Sequence, residues 1–123
     1  MSTTDILLVD DNDDVREITA LFLRDSGYNV TEASNGIVAL SLLNANPAIE
    51  LLIADLAMPE MSGTELLKQA RATRPEIRAV FITGYADQPL ISGNLKNEIV
   101  VQKPFTTEQL TLAVRTALGQ SGE

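Results

Sequence analysis

The sequence contains no cysteine and no histidine. Without cysteine there is no disulfide framework and no thiolate chemistry, and without either residue the two commonest ligands of structural zinc are missing. Any metal held here must be bound through oxygen. Basic residues are scarce: nine Lys plus Arg stand against seventeen Asp plus Glu, a formal net charge of -8. The summed field repels phosphate backbones and anionic membrane surfaces, so no direct nucleic-acid binding is expected. No apolar run approaches the roughly 18–20 residues of a membrane span. Met-Ser-Thr-Thr-Asp at the start lacks the charged n-region of a signal peptide. These absences lead us to expect a soluble cytoplasmic chain with no membrane partner.

What is present fits a single core. The chain has 123 residues, 45% of them apolar and 21% charged, ordinary for one globular domain. We place that domain at residues 1–119, with 120–123 as a flexible tail. Ile6–Val9 is a short, continuously apolar run ended by acidic residues, as expected of a strand buried on both faces. The form recurs at Leu51–Ala54, Ala79–Ile82 and Ile99–Val101, and a more polar version at 28–33 reads as an edge strand.

Helical patterns lie between the strands. Val15, Ile18, Leu21 and Phe22 recur at helix spacing and Gly27 marks a stop. Ser34-Asn35-Gly36 offers an N-cap to a helix through about Leu43, closed by Asn46-Pro47. Ser62 with Glu65 forms an expected capping box for a helix over 65–72, and Thr106 with Gln109 another for the last helix. Between strands four and five, Gly84, Pro89, Gly93 and Asn94 interrupt any helical period, so a fourth helix there is short or irregular. Strand and helix in alternation predict an α/β fold with a parallel sheet covered on both faces.

In such a fold the residues after each strand gather at one sheet edge. Those residues are Asp10 and Asp11, Asp55, Thr83 and Lys103. Carboxylates within about 4 Å repel by roughly 4 kcal/mol per pair at an effective dielectric of 20, so the cluster needs a cation or partial protonation. Mg2+ suits it, being content with a few carboxylate and carbonyl oxygens and able to keep positions for phosphate oxygens. An EF-hand starting at Asp10 is disfavoured, because Val15 stands where glycine is required and Leu21 where the bidentate Glu belongs. Taken singly, each residue has an ordinary reading. Asp10 and Asp11 could be loop and cap residues, with Asp13 or Asp14 the expected cap of the first helix, Asp55 and Lys103 surface charges, and Thr83 a strand end. Their convergence from distant places along the chain favours a site.

Across essentially the whole chain, these residues resemble the receiver domains of bacterial two-component response regulators. The resemblance rests on Val-Asp10-Asp11, Asp55-Leu-Ala-Met58-Pro59 with Gly63, Thr83-Gly84, and Lys103-Pro104-Phe105, in that order. It implies a five-stranded parallel sheet in doubly wound, flavodoxin-like order 2-1-3-4-5. It further implies that Asp55 is the phosphoacceptor and that Asp11, Asp55 and the Ala57 carbonyl ligate Mg2+, with Asp10 acting mostly through a coordinated water. Lys103 would bind the phosphoryl group and Thr83 would move to hydrogen-bond it. The implied donor is a phospho-His on a sensor histidine kinase or histidine phosphotransfer protein; we expect a monomer that is not an enzyme, with at most slow self-catalysed phosphoryl transfer and dephosphorylation. Thr83-Gly84-Tyr85-Ala86 looks more like receivers attached to hybrid sensor kinases than those driving transcription factors. With no output domain in the sequence, we expect a single-domain regulator or a receiver from a larger protein.

Two departures stand out. Receivers commonly carry an aromatic switch residue three positions before the lysine, whereas this chain has Val100, leaving Tyr85 as the expected substitute reporter. Ala57 offers no side chain to orient or block an attacking water. Exposed residues around the first helix, for instance Val15, Ile18 and Thr19, are expected to choose the partner. Rival readings are a receiver-like interaction module that is never phosphorylated, and a haloacid-dehalogenase-type hydrolase. For the latter the Asp-x-Asp motif is met only by Asp11 with Asp13, and the cap insertion is missing.

Overall fold

Strands whose two faces are both apolar must be covered twice, and the chain does this by alternating strands with helices. The computed structural model describes residues 3–84 and 98–119. In chain order these form β1 (Asp5–Val9), α1 (Asp13–Asp25), β2 (Asn29–Ala33), α2 (Gly36–Ala45), β3 (Ile49–Asp55), α3 (Gly63–Thr73), β4 (Arg78–Thr83), β5 (Ile99–Gln102) and α4 (Thr107–Ala117). Residues 85–97, the place of the expected short or irregular fourth helix, lie outside the described residues, as does the expected tail at 120–123.

The sheet is parallel throughout, in the order β2-β1-β3-β4-β5. Alternation along each strand divides the core. Leu7, Val9, Leu52, Ala54 and Phe81 face α2 and α3, while Ile6, Leu8, Leu51, Ile53, Val80 and Ile82 face α1 and α4. A one-residue slip would exchange the two faces, so packing fixes the register that aligns the strand ends. The polar strand β2 is the sheet edge, as expected, and Arg24 covers part of it by donating to the Val30 carbonyl at 2.9 Å. No helix among the described residues is long and apolar enough to cross a membrane.

The caps follow the sequence in part. Thr106 and Gln109 form the full capping box at the start of α4. Ser62 caps α3, but the helix begins at Gly63 rather than at Glu65, and the Glu65 carboxylate accepts from Gln69 at 3.0 Å instead of returning to Ser62. The α1 cap is Asn12, whose side chain accepts the Val15 amide at 3.0 Å, and not Asp13 or Asp14, which occupy the first turn. Thr19 is a second correction. It is 1% exposed, its hydroxyl donating to the Val15 carbonyl, so it is not one of the exposed residues of the first helix, whereas Ile18 is 53% exposed.

Candidate functional site

The C-terminal ends of β1, β3, β4 and β5 lie side by side, and they carry Asp10, Asp55, Thr83 and Lys103. Carboxylate oxygens of Asp10, Asp11 and Asp55 all fall within 4.8 Å of one another. Asp10 and Asp55 are buried and Asp11 is exposed, so the cluster opens to solvent on the Asp11 side. The Lys103 ammonium reaches in from the β5–α4 loop, 2.9 Å from Asp55 Oδ2 and 3.9 Å from Asp10 Oδ2. Thus four of the expected side chains meet.

Backbone hydrogen bonds hold these groups in place. The Ala57 amide donates to Asp55 Oδ1 at 2.9 Å, and the Asn12 amide to Asp10 Oδ1 at 2.9 Å. The Leu56 amide donates to the Ile82 carbonyl and the Lys103 amide to the Thr83 carbonyl, at 2.9 and 2.7 Å, which stitches the three strand ends together. Thr83 is fully buried, and its hydroxyl donates to the Gly84 carbonyl at 3.1 Å rather than to Asp55. The Lys103-Pro104 bond is cis. Val100 packs among the partly buried residues on the α2 and α3 side, an aliphatic side chain where a switch ring would stand. Tyr85 lies outside the described residues.

The electrostatics favour a cation. Burial pushes the Asp10 carboxyl pKa above its ordinary value; the Asn12 amide pulls the other way, the Asp55 charge adds to the rise, Lys103 opposes it, and Asp11 adds a little more. Asp10 Oδ2, fully buried, has no hydrogen-bond partner among the described residues. An orphaned buried carboxylate oxygen beside two further carboxylates is what an oxygen-binding cation would satisfy, so the donor set fits a hard divalent ion.

Two contributors are not legible in the sequence. Arg16, on α1, donates to the Asp10 carbonyl at 2.7 Å, to Asp13 at 2.8 Å and to Glu32 on β2 at 3.3 Å. Burial works against its charge, but hydrogen bonds and charges from Asp13 and Glu32 outweigh that and hold its pKa above the ordinary value. Glu60 has φ of 70° in a tight turn where the Met61 amide donates to the Pro59 carbonyl at 2.7 Å. Nothing in Pro59-Glu60-Met61 signals a left-handed residue, since glycine or asparagine is the usual choice.

Gly63 acts through what it lacks. A Cβ there would lie 2.5 Å from the Asp55 carbonyl oxygen and 3.3 Å from Leu56 Cα, all backbone that cannot swing aside. Alanine is the better helix former by about 1 kcal/mol, but overpacking costs about 1–3 kcal/mol. We therefore expect Gly63→Ala to lower stability by roughly 1 kcal/mol net, measured by urea denaturation. An unchanged or higher midpoint would mean that the strand end yields freely.

The comparisons with known proteins agree with this geometry. Over 115 residues the chain is 36% identical to the response regulator receiver protein CpdR of Brucella abortus, covering 92% of this chain and 95% of that protein. Over 117 residues it is 35% identical to the sensor kinase CckA of the same organism, covering 92% of this chain but only 12% of the kinase. The crystal structure of the receiver domain from the hybrid histidine kinase CckA matches with a TM-score of 0.78 at 34% identity, covering 93% of this chain and 98% of that one. A family profile for the response regulator receiver domain matches residues 6–115, and with the fold and the acidic pocket in agreement, the chain belongs to the response regulator receiver domain family of two-component signalling.

Proposed function

We propose that Asp55 is the phosphoacceptor of this receiver, with a phospho-His of a sensor histidine kinase or histidine phosphotransfer protein as donor. The observation that carries this reading is the pairing of the buried Asp55 carboxylate with the Lys103 ammonium at 2.9 Å, inside a cluster of three carboxylates. Asp10, Asp11, Asp55 and the Ala57 carbonyl would hold Mg2+. When bound, Mg2+ neutralises charge on the transferring phosphoryl oxygens.

In the transfer, an Asp55 oxygen attacks phosphorus while the bond from phosphorus to the donor imidazole nitrogen breaks, leaving an acyl phosphate on Asp55 and a free donor histidine. Lys103 is already placed to accompany the phosphoryl charge. The phosphate brings about -1.5 to -2 charge and new acceptor oxygens. The Thr83 hydroxyl then exchanges the Gly84 carbonyl for one of these oxygens. Because the Thr83 carbonyl also holds the Lys103 amide, that exchange reaches the β4 and β5 loops together. Hydrolysis of the acyl phosphate is self-catalysed and slow, so the chain signals rather than turns over substrate. The partner docks beside Lys103, where Val15, Ile18, Phe22, Pro104 and Phe105 line a shallow apolar groove.

A magnesium titration with a small phosphodonor present tests this reading. The expected result is a phosphoryl adduct that saturates at one per chain as Mg2+ rises and is not formed in chelator. A folded chain that binds no Mg2+ would point to the unphosphorylated interaction module, and multiple turnover of a phosphate ester to a hydrolase.

A further inference from the structure

Arg16 touches neither the Asp55 carboxylate nor any group expected to meet phosphate, yet it is only 15% exposed and engages three acceptors on three different segments. The contact of interest is the 2.7 Å donation to the Asp10 carbonyl. That carbonyl belongs to the peptide joining Asp10 to Asp11, the two carboxylates supplied by the β1–α1 turn. The same turn is fixed from the other side, where the Asp10 amide donates to the Ala33 carbonyl at 3.2 Å and the Asn12 amide to Asp10 Oδ1. Arg16 thereby sets the plane from which the Asp11 side chain departs, and its own position is set by Glu32 on β2 and Asp13 on α1.

We propose that Arg16 is a positioning residue for divalent-cation binding, holding the Asp10–Asp11 peptide so that both carboxylates converge with Asp55. The inference rests on the magnesium reading above. Coulomb's law alone gives the opposite expectation. Removing a cation from beside an acidic cluster should tighten Mg2+ binding, whereas loss of a group that orients ligands weakens it, typically by about 10–100-fold. The sign of the change separates the two. Arg24 supplies the comparison, since it also pairs with Glu32, at 3.2 Å, but makes no contact with Asp10.

Calorimetric titration with MgCl2 of the parent, Arg16→Gln, Arg16→Lys and Arg24→Gln, with melting curves in chelator, tests this. Arg16→Gln should weaken Mg2+ binding by about tenfold or more. Arg16→Lys keeps the charge but not the planar fork, and should weaken it by about threefold or more. Arg24→Gln should leave it within about twofold of the parent or slightly tighter. A residue that merely braces the fold would lower the melting temperature in chelator and leave the affinity alone. Equal or tighter binding in Arg16→Gln overturns the proposal; if that variant does not fold, unchanged affinity in Arg16→Lys does so. Absence of Mg2+ binding in the folded parent would instead contradict the magnesium reading itself.

Discussion

Lys103→Met should slow phosphorylation of Asp55 by about 10²–10³-fold while leaving the adduct on the same residue, as expected when one preorganised donor is removed from a site of developing charge. Methionine keeps the length and apolar character of the stem and removes only the ammonium, which lies 2.9 Å from Asp55 Oδ2. The effect is large because that ammonium needs no rearrangement as charge builds on the phosphoryl oxygens. The Lys103 side chain is 30% exposed but that of Asp55 only 7%, so without Mg2+ the loss of the ammonium also leaves a buried carboxylate short of its counter-charge and should lower stability. Timed intact-mass measurements with a small phosphodonor give the rate, and a value within about threefold of the parent would remove Lys103 from the phosphoryl site.

Asp10→Asn should make the cation-free protein more stable, raising its melting temperature in chelator by a few degrees. The amide oxygen can still accept the Asn12 amide, and what disappears is a buried charge beside Asp55 and Asp11. The pH dependence has a definite sign. Because the folded Asp10 carboxyl pKa is raised, chiefly by burial, the native state favours its protonated form. Its stabilising contribution is then complete below the unfolded carboxylate value and is lost as pH rises through the folded one. In chelator, the advantage of Asp10→Asn over the parent should thus grow as pH climbs through the carboxylate range and then level off. Added Mg2+ should reverse the order by stabilising the parent more than the variant. Thermal melts across pH, with chelator and with Mg2+, follow both changes; a variant less stable than the parent in chelator would mean that the Asp10 charge is already compensated.

Much of this was legible because the fold has one strong rule. A strand buried on both faces reads as a continuous apolar run, and the residue that ends it stands at the functional edge, which is how Asp10, Asp55, Thr83 and Lys103 could be picked from positions so far apart. Contacts with no local signature were not legible. Arg16 meets Glu32 across sixteen residues and a sheet edge, and no spacing announces it. Gly63 carries the family motif, yet its use, close approach to the Asp55 carbonyl, appears only in three dimensions. Thr19, expected to be exposed with Ile18, is buried with its hydroxyl satisfied by the Val15 carbonyl, a bond that no sequence spacing announces. At the α1 cap, Asn12, Asp13 and Asp14 are all good cap residues, and the choice falls to the turn in which Asp10 Oδ1 takes the Asn12 amide.

In the proposed function the four strand ends make Asp55 a magnesium-dependent phosphoacceptor. The most direct test is the intact mass of the parent and of Asp55→Asn after incubation with a small phosphodonor, with and without Mg2+. One phosphoryl adduct that requires Mg2+ and is absent from Asp55→Asn is the expected result. No adduct on the folded parent, or one that persists undiminished in Asp55→Asn, would contradict it.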